Sequence, residues 1–123
     1  MNQRNTRTEN RKYPRIERRI PFKLKADDFV VVTQTIDLSC IGVSCQVKES
    51  IPFMTRVKVF FALPCPDKKS ESVCIECYGV VVRVEEVLSK SRASTGIYNI
   101  AIFFDEIEDI EREKLSDYIR KMV

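Results

Sequence analysis

Histidine is absent from the 123 residues. That removes the commonest general base and the commonest metal ligand at one stroke. No apolar run approaches the ~20 residues a membrane-spanning helix needs. The first residues are basic and polar with no apolar stretch behind them, so they do not read as a secretory signal, and the expected compartment is the cytoplasm. Cysteine is present in an odd number, as Cys40, Cys45, Cys65, Cys74 and Cys77. A chain with 44% hydrophobic residues can build its own core and has no need of disulfide staples, so the five thiols are read as reduced. Cys74 and Cys77 form a C-x-x-C, but no second cysteine pair stands at zinc spacing. In a strand, residues three apart point to opposite faces. No metal site and no catalytic constellation is therefore expected, and the protein is read as not being an enzyme.

What is present is charge, unevenly placed. Residues 1–25 carry nine Lys/Arg against two acids, a local +7, while the other 98 carry twelve against sixteen, a local −4, for the overall +3. The positive field is thus concentrated at one end, which would attract an anion.

Residues 1–12 have no apolar periodicity and are expected to be a flexible basic arm, with the folded domain spanning 13–123. Tyr13-Pro14 breaks any regular element. Strand signals follow: Phe22 and Leu24, a turn at Asp27-Asp28, Phe29 to Thr35, Val43 to Val47, Val57 to Leu63, Val73 to Val84 with a bend at Gly79, and Tyr98 to Phe104. Asp37 to Gly42 reads as a polar break between two strands. Pro64 to Ser70 reads as a turn, and Ser89 to Thr95 as a loop. From about residue 107 to 109 the period changes. Ile110, Leu115, Tyr118, Ile119 and Met122 fit an amphipathic helix with acids early and Arg120-Lys121 late. Six or seven short strands and one terminal helix predict an all-β barrel or sandwich closed by that helix.

Two motifs carry chemistry. Arg11-Lys-Tyr-Pro-Arg15 is an R-x-x-x-R, and Asp37-Leu-Ser39-Cys-Ile-Gly42 is a D-x-S-x-x-G. Arginine presents a planar fork of donors suited to phosphate oxygens and to the O6/N7 edge of guanine. A carboxylate accepts the N–H donors on guanine's Watson–Crick edge. Serine can donate to a phosphate oxygen, and glycine permits close approach to the backbone. Either motif alone is weak: arginine-rich chains contain R-x-x-x-R by chance, and D-x-S-x-x-G is a common turn in which both side chains bond nearby backbone.

Together, in a β-rich chain of this length, they resemble the PilZ domain family, over nearly the whole chain from Arg11 to the terminal helix. Gly79-Val-Val-Val-Arg83 looks like that family's central strand, and Tyr98-Asn-Ile-Ala-Ile-Phe103 like its last strand. The resemblance implies a six-stranded antiparallel split barrel with a C-terminal helix. It implies a bacterial cytoplasmic receptor for cyclic di-GMP, with no other cofactor, that signals to an unidentified effector protein. Carried onto this sequence, Arg11 and Arg15 would hold guanine edges and phosphates, with Lys12 beside them. Asp37 would read a guanine, Ser39 would contact phosphate or base, and Gly42 would keep the surface open. Arg83 would flank a guanine, on a weaker match. Arg15/Arg19 satisfies the same spacing. Arg11/Arg15 is preferred because it lies in the arm, whereas Arg19 directly precedes the first strand. Asn10 stands where many family members have a further arginine, and Ala101 where the last strand often has glycine. The alternatives are a ligand-independent interaction module and a small nucleic-acid-binding barrel. The net negative body argues against the second.

Overall fold

A computed structural model describes residues 13–65 and 71–123, and the expected arm, residues 1–12 with Arg11 and Lys12, lies outside the described residues. Among the described residues seven strands form: β1 Arg15–Ile16, β2 Pro21–Ala26, β3 Phe29–Ser39, β4 Gly42–Val47, β5 Arg56–Pro64, β6 Ser72–Leu88 and β7 Ser94–Glu106. Among the described residues one helix, α1, spans Asp109–Met122. Each strand from β2 onward pairs antiparallel with its neighbour in the order β3-β2-β5-β6-β7-β4, and β4 pairs back onto β3. The sheet is therefore a closed six-stranded barrel with β1 added along β3. Closure pairs most of the barrel's strand edges with one another.

Strict alternation fills the interior. Phe22 and Leu24 of β2, Val57, Val59, Phe61 and Leu63 of β5, and Ile100, Ile102 and Phe104 of β7 all point inward and are buried. Phe22 and Phe61 stack at 5.0 Å between centroids, and Phe61 meets Phe104 edge-on at 6.2 Å. Of the two adjacent Phe pairs, Phe61 and Phe104 are core while Phe60 is half-buried and Phe103 exposed, as alternation requires. Cys77 is buried and Cys74 exposed, so the C-x-x-C thiols stand on opposite faces.

The helix closes one end with Leu115, Tyr118 and Ile119. It also covers a gap in the hydrogen-bonding scheme. The pairing of β7 with β6 begins at Tyr78, leaving the earlier residues of β6 without a partner on that side. There Glu111 Oε1 accepts the Glu76 N–H at 3.0 Å, and Lys114 Nζ donates to the Cys74 carbonyl at 2.9 Å. Two helix side chains thus satisfy backbone groups that would otherwise be bare.

Three boundaries differ from the sequence reading. The chain forms its first strand already at Arg15–Ile16, because β3 offers a partner there: Arg15 pairs with Ser39 and Ile16 with Leu38. Arg15 is therefore fixed to the barrel and is not part of a free arm. The expected break at Asp37–Gly42 shrinks to Cys40-Ile41, since β3 runs through Ser39. Strands β6 and β7 extend to Leu88 and back to Ser94, drawn out by their mutual pairing, so the expected Ser89–Thr95 loop is shorter.

Candidate functional site

β3 changes face part-way along. Val31, Thr33 and Thr35 lean inward, and strict alternation would put Asp37 and Ser39 inward too. A bulge between Thr35 and Asp37 inserts Ile36 as an extra residue against β4. The alternation flips, so that Leu38 and Cys40 go into the core while Asp37 and Ser39 turn outward. The bulge is anchored by a buried threonine. Thr35 Oγ1 accepts the Ile20 N–H at 3.0 Å and donates to the Arg18 carbonyl.

With Asp37 and Ser39 aimed outward, β1 supplies the third group. Arg15 lies directly opposite Ser39, and its Nη1 stands 3.6 Å from Asp37 Oδ2. Both members are partly exposed, at 37% and 25% of their side-chain surface, so the pair can be opened by an incoming ligand at little cost. Ser39 is engaged by its own turn: Oγ accepts the Ile41 N–H at 3.2 Å and faces the Gly42 carbonyl at 3.5 Å. One end of each sequence motif is thereby brought to one patch.

Gly42 has a packing cause. It pairs with Phe103, and a Cβ there would lie 2.5 Å from the Ile102 carbonyl oxygen. Gly79 meets the same stretch from the other side, where a Cβ would lie 2.5 Å from Ile102 Cγ2 and 2.9 Å from the Phe103 carbonyl oxygen. The two glycines let β4 and β6 close on β7 at one level of the barrel.

Arg83 shares the barrel's outer face but does not touch Asp37. The pairs Asp37–Ser44, Ser44–Ala101 and Ala101–Arg83 set it three strands away, about 14 Å along the sheet at ~4.8 Å per strand. Its Nε lies 3.4 Å from Glu85. Arg19 lies elsewhere, lining a recess with Arg18, Tyr118 and Met122 near the end of α1. Sequence reasoning missed Asn99. It sits on the outer face of β7 between Gln46 and Glu85, and its Oδ1 is buried without a hydrogen-bond partner among the described residues. No local sequence signal marks it, because the orphaned acceptor arises from the neighbouring strands.

The model of the PilZ domain matches residues 9–121. Several solved structures share the fold. The Bacillus subtilis inhibitor of motility, MotI/DgrA, superposes with a TM-score of 0.73 at 16% identity, covering 91% of this chain and 50% of its own. The chain thus spans about half the length of that protein. The PilZ domain of YcgR from Escherichia coli, solved with c-di-GMP, gives a TM-score of 0.64 at 14% identity, covering 90% of this chain and 89% of its own. At these identities the likeness is one of fold. No curated protein matches the chain.

Proposed function

The chain belongs to the PilZ domain family, and from that premise we propose that it is a non-enzymatic receptor for cyclic di-GMP that passes the signal to a partner protein. The observation that carries the reading is the meeting of Arg15 with Asp37, 3.6 Å apart, beside an outward Ser39. A donor fork, an acceptor and a hydroxyl converge on one side of the barrel. In the proposed complex the ligand separates the ion pair. Asp37 takes the N–H donors of one guanine, and Arg15 turns to a phosphate or to the O6/N7 edge. Arg11 and Lys12, four and three residues before Arg15 in sequence, are assigned to close over the ligand, with Ser39 donating to it. The arm in its new position gives the partner a surface absent from the free protein. Arg83 is assigned no direct contact at its distance along the sheet.

A second reading has one observation in its favour. Arg15, Asp37 and Ser39 are already satisfied by one another and by their turn, as they would be in an interaction module that binds no ligand. Calorimetric titration with cyclic di-GMP, with GTP and GMP as controls, separates the two. Micromolar or tighter binding confined to the cyclic dinucleotide and lost in Arg15→Ala supports the receptor. A folded protein that gives no heat at high ligand concentration leaves the ligand-independent module. The stoichiometry reports what Asn10 does in place of a further arginine.

A further inference from the structure

A recess of about 230 Å³ lies between the Tyr13-Pro14 segment that leads into β1, the β3–β4 turn and α1. Tyr13, Pro14, Cys40 and Ile119 line it. Cys40 and Ile119 are buried, whereas Tyr13 is 37% exposed, so the recess has an apolar floor and one accessible aromatic wall. Its remaining lining comes from Arg112, Ser116 and Arg120 of α1. These residues are spaced four apart and so fall on one stripe of the helix.

The two arginines differ in state. Arg120 is held by Asp117 one turn earlier. Arg112 has no ion pair and no side-chain hydrogen bond among the described residues. Among the described residues no acid or hydrogen-bond acceptor holds the Arg112 guanidinium, which lines the recess, and the recess is continuous in chain with the candidate site: Tyr13-Pro14 leads into Arg15, and Cys40 follows Ser39.

We propose that this recess is the subsite for the second guanine of the ligand, with Tyr13 stacking on the base and Arg112 reading its O6/N7 edge. The inference rests on the receptor reading above. Three observations favour a base over a phosphate. The walls are mostly carbon, which suits an aromatic face and not a multiply hydrated anion. The volume equals that of roughly eight waters at ~30 Å³ each, which is room for one bicyclic base. The free donor is a planar fork, matched to two acceptors on one purine edge. Cyclic di-GMP carries two guanines on one phosphate ring. The recess residues Tyr13 and Pro14 immediately precede Arg15 in the chain, and Asp37 pairs with Arg15 from β3, so in this proposal Arg15 is left to the phosphates between the two bases.

A mixed cyclic dinucleotide tests the assignment, because adenine replaces the O6 acceptor with an N6 donor. Its single guanine would go to Asp37 and its adenine to the recess. Affinities for cyclic di-GMP and for cyclic GMP-AMP are measured by calorimetry on the full chain. The proteins compared are the wild type, Arg112→Gln, Arg112→Lys and Lys121→Gln, a helix cation outside the recess. The wild type should prefer cyclic di-GMP about tenfold. Arg112→Gln should lose that preference while retaining its thermal midpoint. Arg112→Lys should recover less than half of it, and Lys121→Gln all of it. The assignment is overturned if Arg112→Gln keeps the preference, or if Lys121→Gln loses as much as Arg112→Gln. If the wild type binds cyclic di-GMP but Arg112→Gln binds both ligands as the wild type does, the receptor reading stands and the subsite falls. If the wild type binds neither ligand, both fall.

Discussion

Arg15 and Asp37 stand 3.6 Å apart on the outside of the barrel, one on the added strand β1 and the other just past the bulge in β3. The contact joins two segments more than twenty residues apart in sequence. It also places a cation and an anion where a zwitterionic surface can open to a ligand carrying both donors and acceptors. An exposed pair of this kind contributes only about 0–1 kcal/mol to folding. Arg15→Ala and Asp37→Asn should therefore shift the urea midpoint little while each weakens cyclic di-GMP binding at least tenfold. A large loss of stability in either variant would assign the pair a structural role.

Thr35 ties the bulge to the Arg18–Ile20 segment, and its hydroxyl is fully buried. Thr35→Val keeps the volume and strands the Ile20 N–H, at a cost of about 1–3 kcal/mol. Urea unfolding should show that loss. Because the bulge aims Asp37 and Ser39 outward, ligand affinity should fall in the same variant beyond what partial unfolding explains.

Gly42→Ala would drive a methyl group into the Ile102 carbonyl oxygen, a backbone atom that cannot swing aside. Overpacking of this kind costs roughly 1–3 kcal/mol. The thermal midpoint should drop in the unliganded protein. A Gly42→Ala protein of unchanged stability that loses only ligand binding would contradict the packing role.

Burial pushes the Cys45 thiol from 9.0 up to about 12, and does the same to Cys77 with help from nearby Glu111 and Asp105. In the unfolded chain these thiols ionise near their ordinary value. Above about pH 9 the unfolded state therefore binds fewer protons than the folded state. Stability is fully present below that pH and falls as pH rises toward 12, by up to ~1.4 kcal/mol per pH unit per thiol. Urea midpoints measured from pH 8 to 11 should decline, and a Cys45→Ala, Cys77→Ala protein should decline less steeply. At neutral pH a thiol reagent should reach the exposed Cys74 first and Cys45 only on unfolding.

The barrel was legible wherever a strand carries its own alternation. Phe22/Leu24, Val57 to Leu63 and Tyr98 to Phe104 state their inward faces residue by residue, and the period change near Asp109 marks the helix. β1 was not legible, because two residues have no periodicity and Arg15–Ile16 is a strand only by virtue of β3. The bulge at Ile36 left a trace: inward parity runs through Thr33 and Thr35, then jumps to Leu38 and Cys40. Read as a turn, that stretch hid the reason Asp37 and Ser39 face out. Arg112 carries no local signal, since nothing around it in the sequence says that Tyr13 and Pro14 will line the same recess. Arg11 and Lys12 lie outside the described residues, and their part in binding rests on the motif.

The central claim is that cyclic di-GMP binds at the patch where β1 meets the β3–β4 turn. Amide shift mapping of the ¹⁵N-labelled protein during a cyclic di-GMP titration tests it most directly. The account predicts saturable shifts centred on Arg15, Asp37, Ser39 and Ile41, with the far face around Lys25 and Lys58 unmoved. Shifts centred on that far face, or none at saturating ligand, would contradict it.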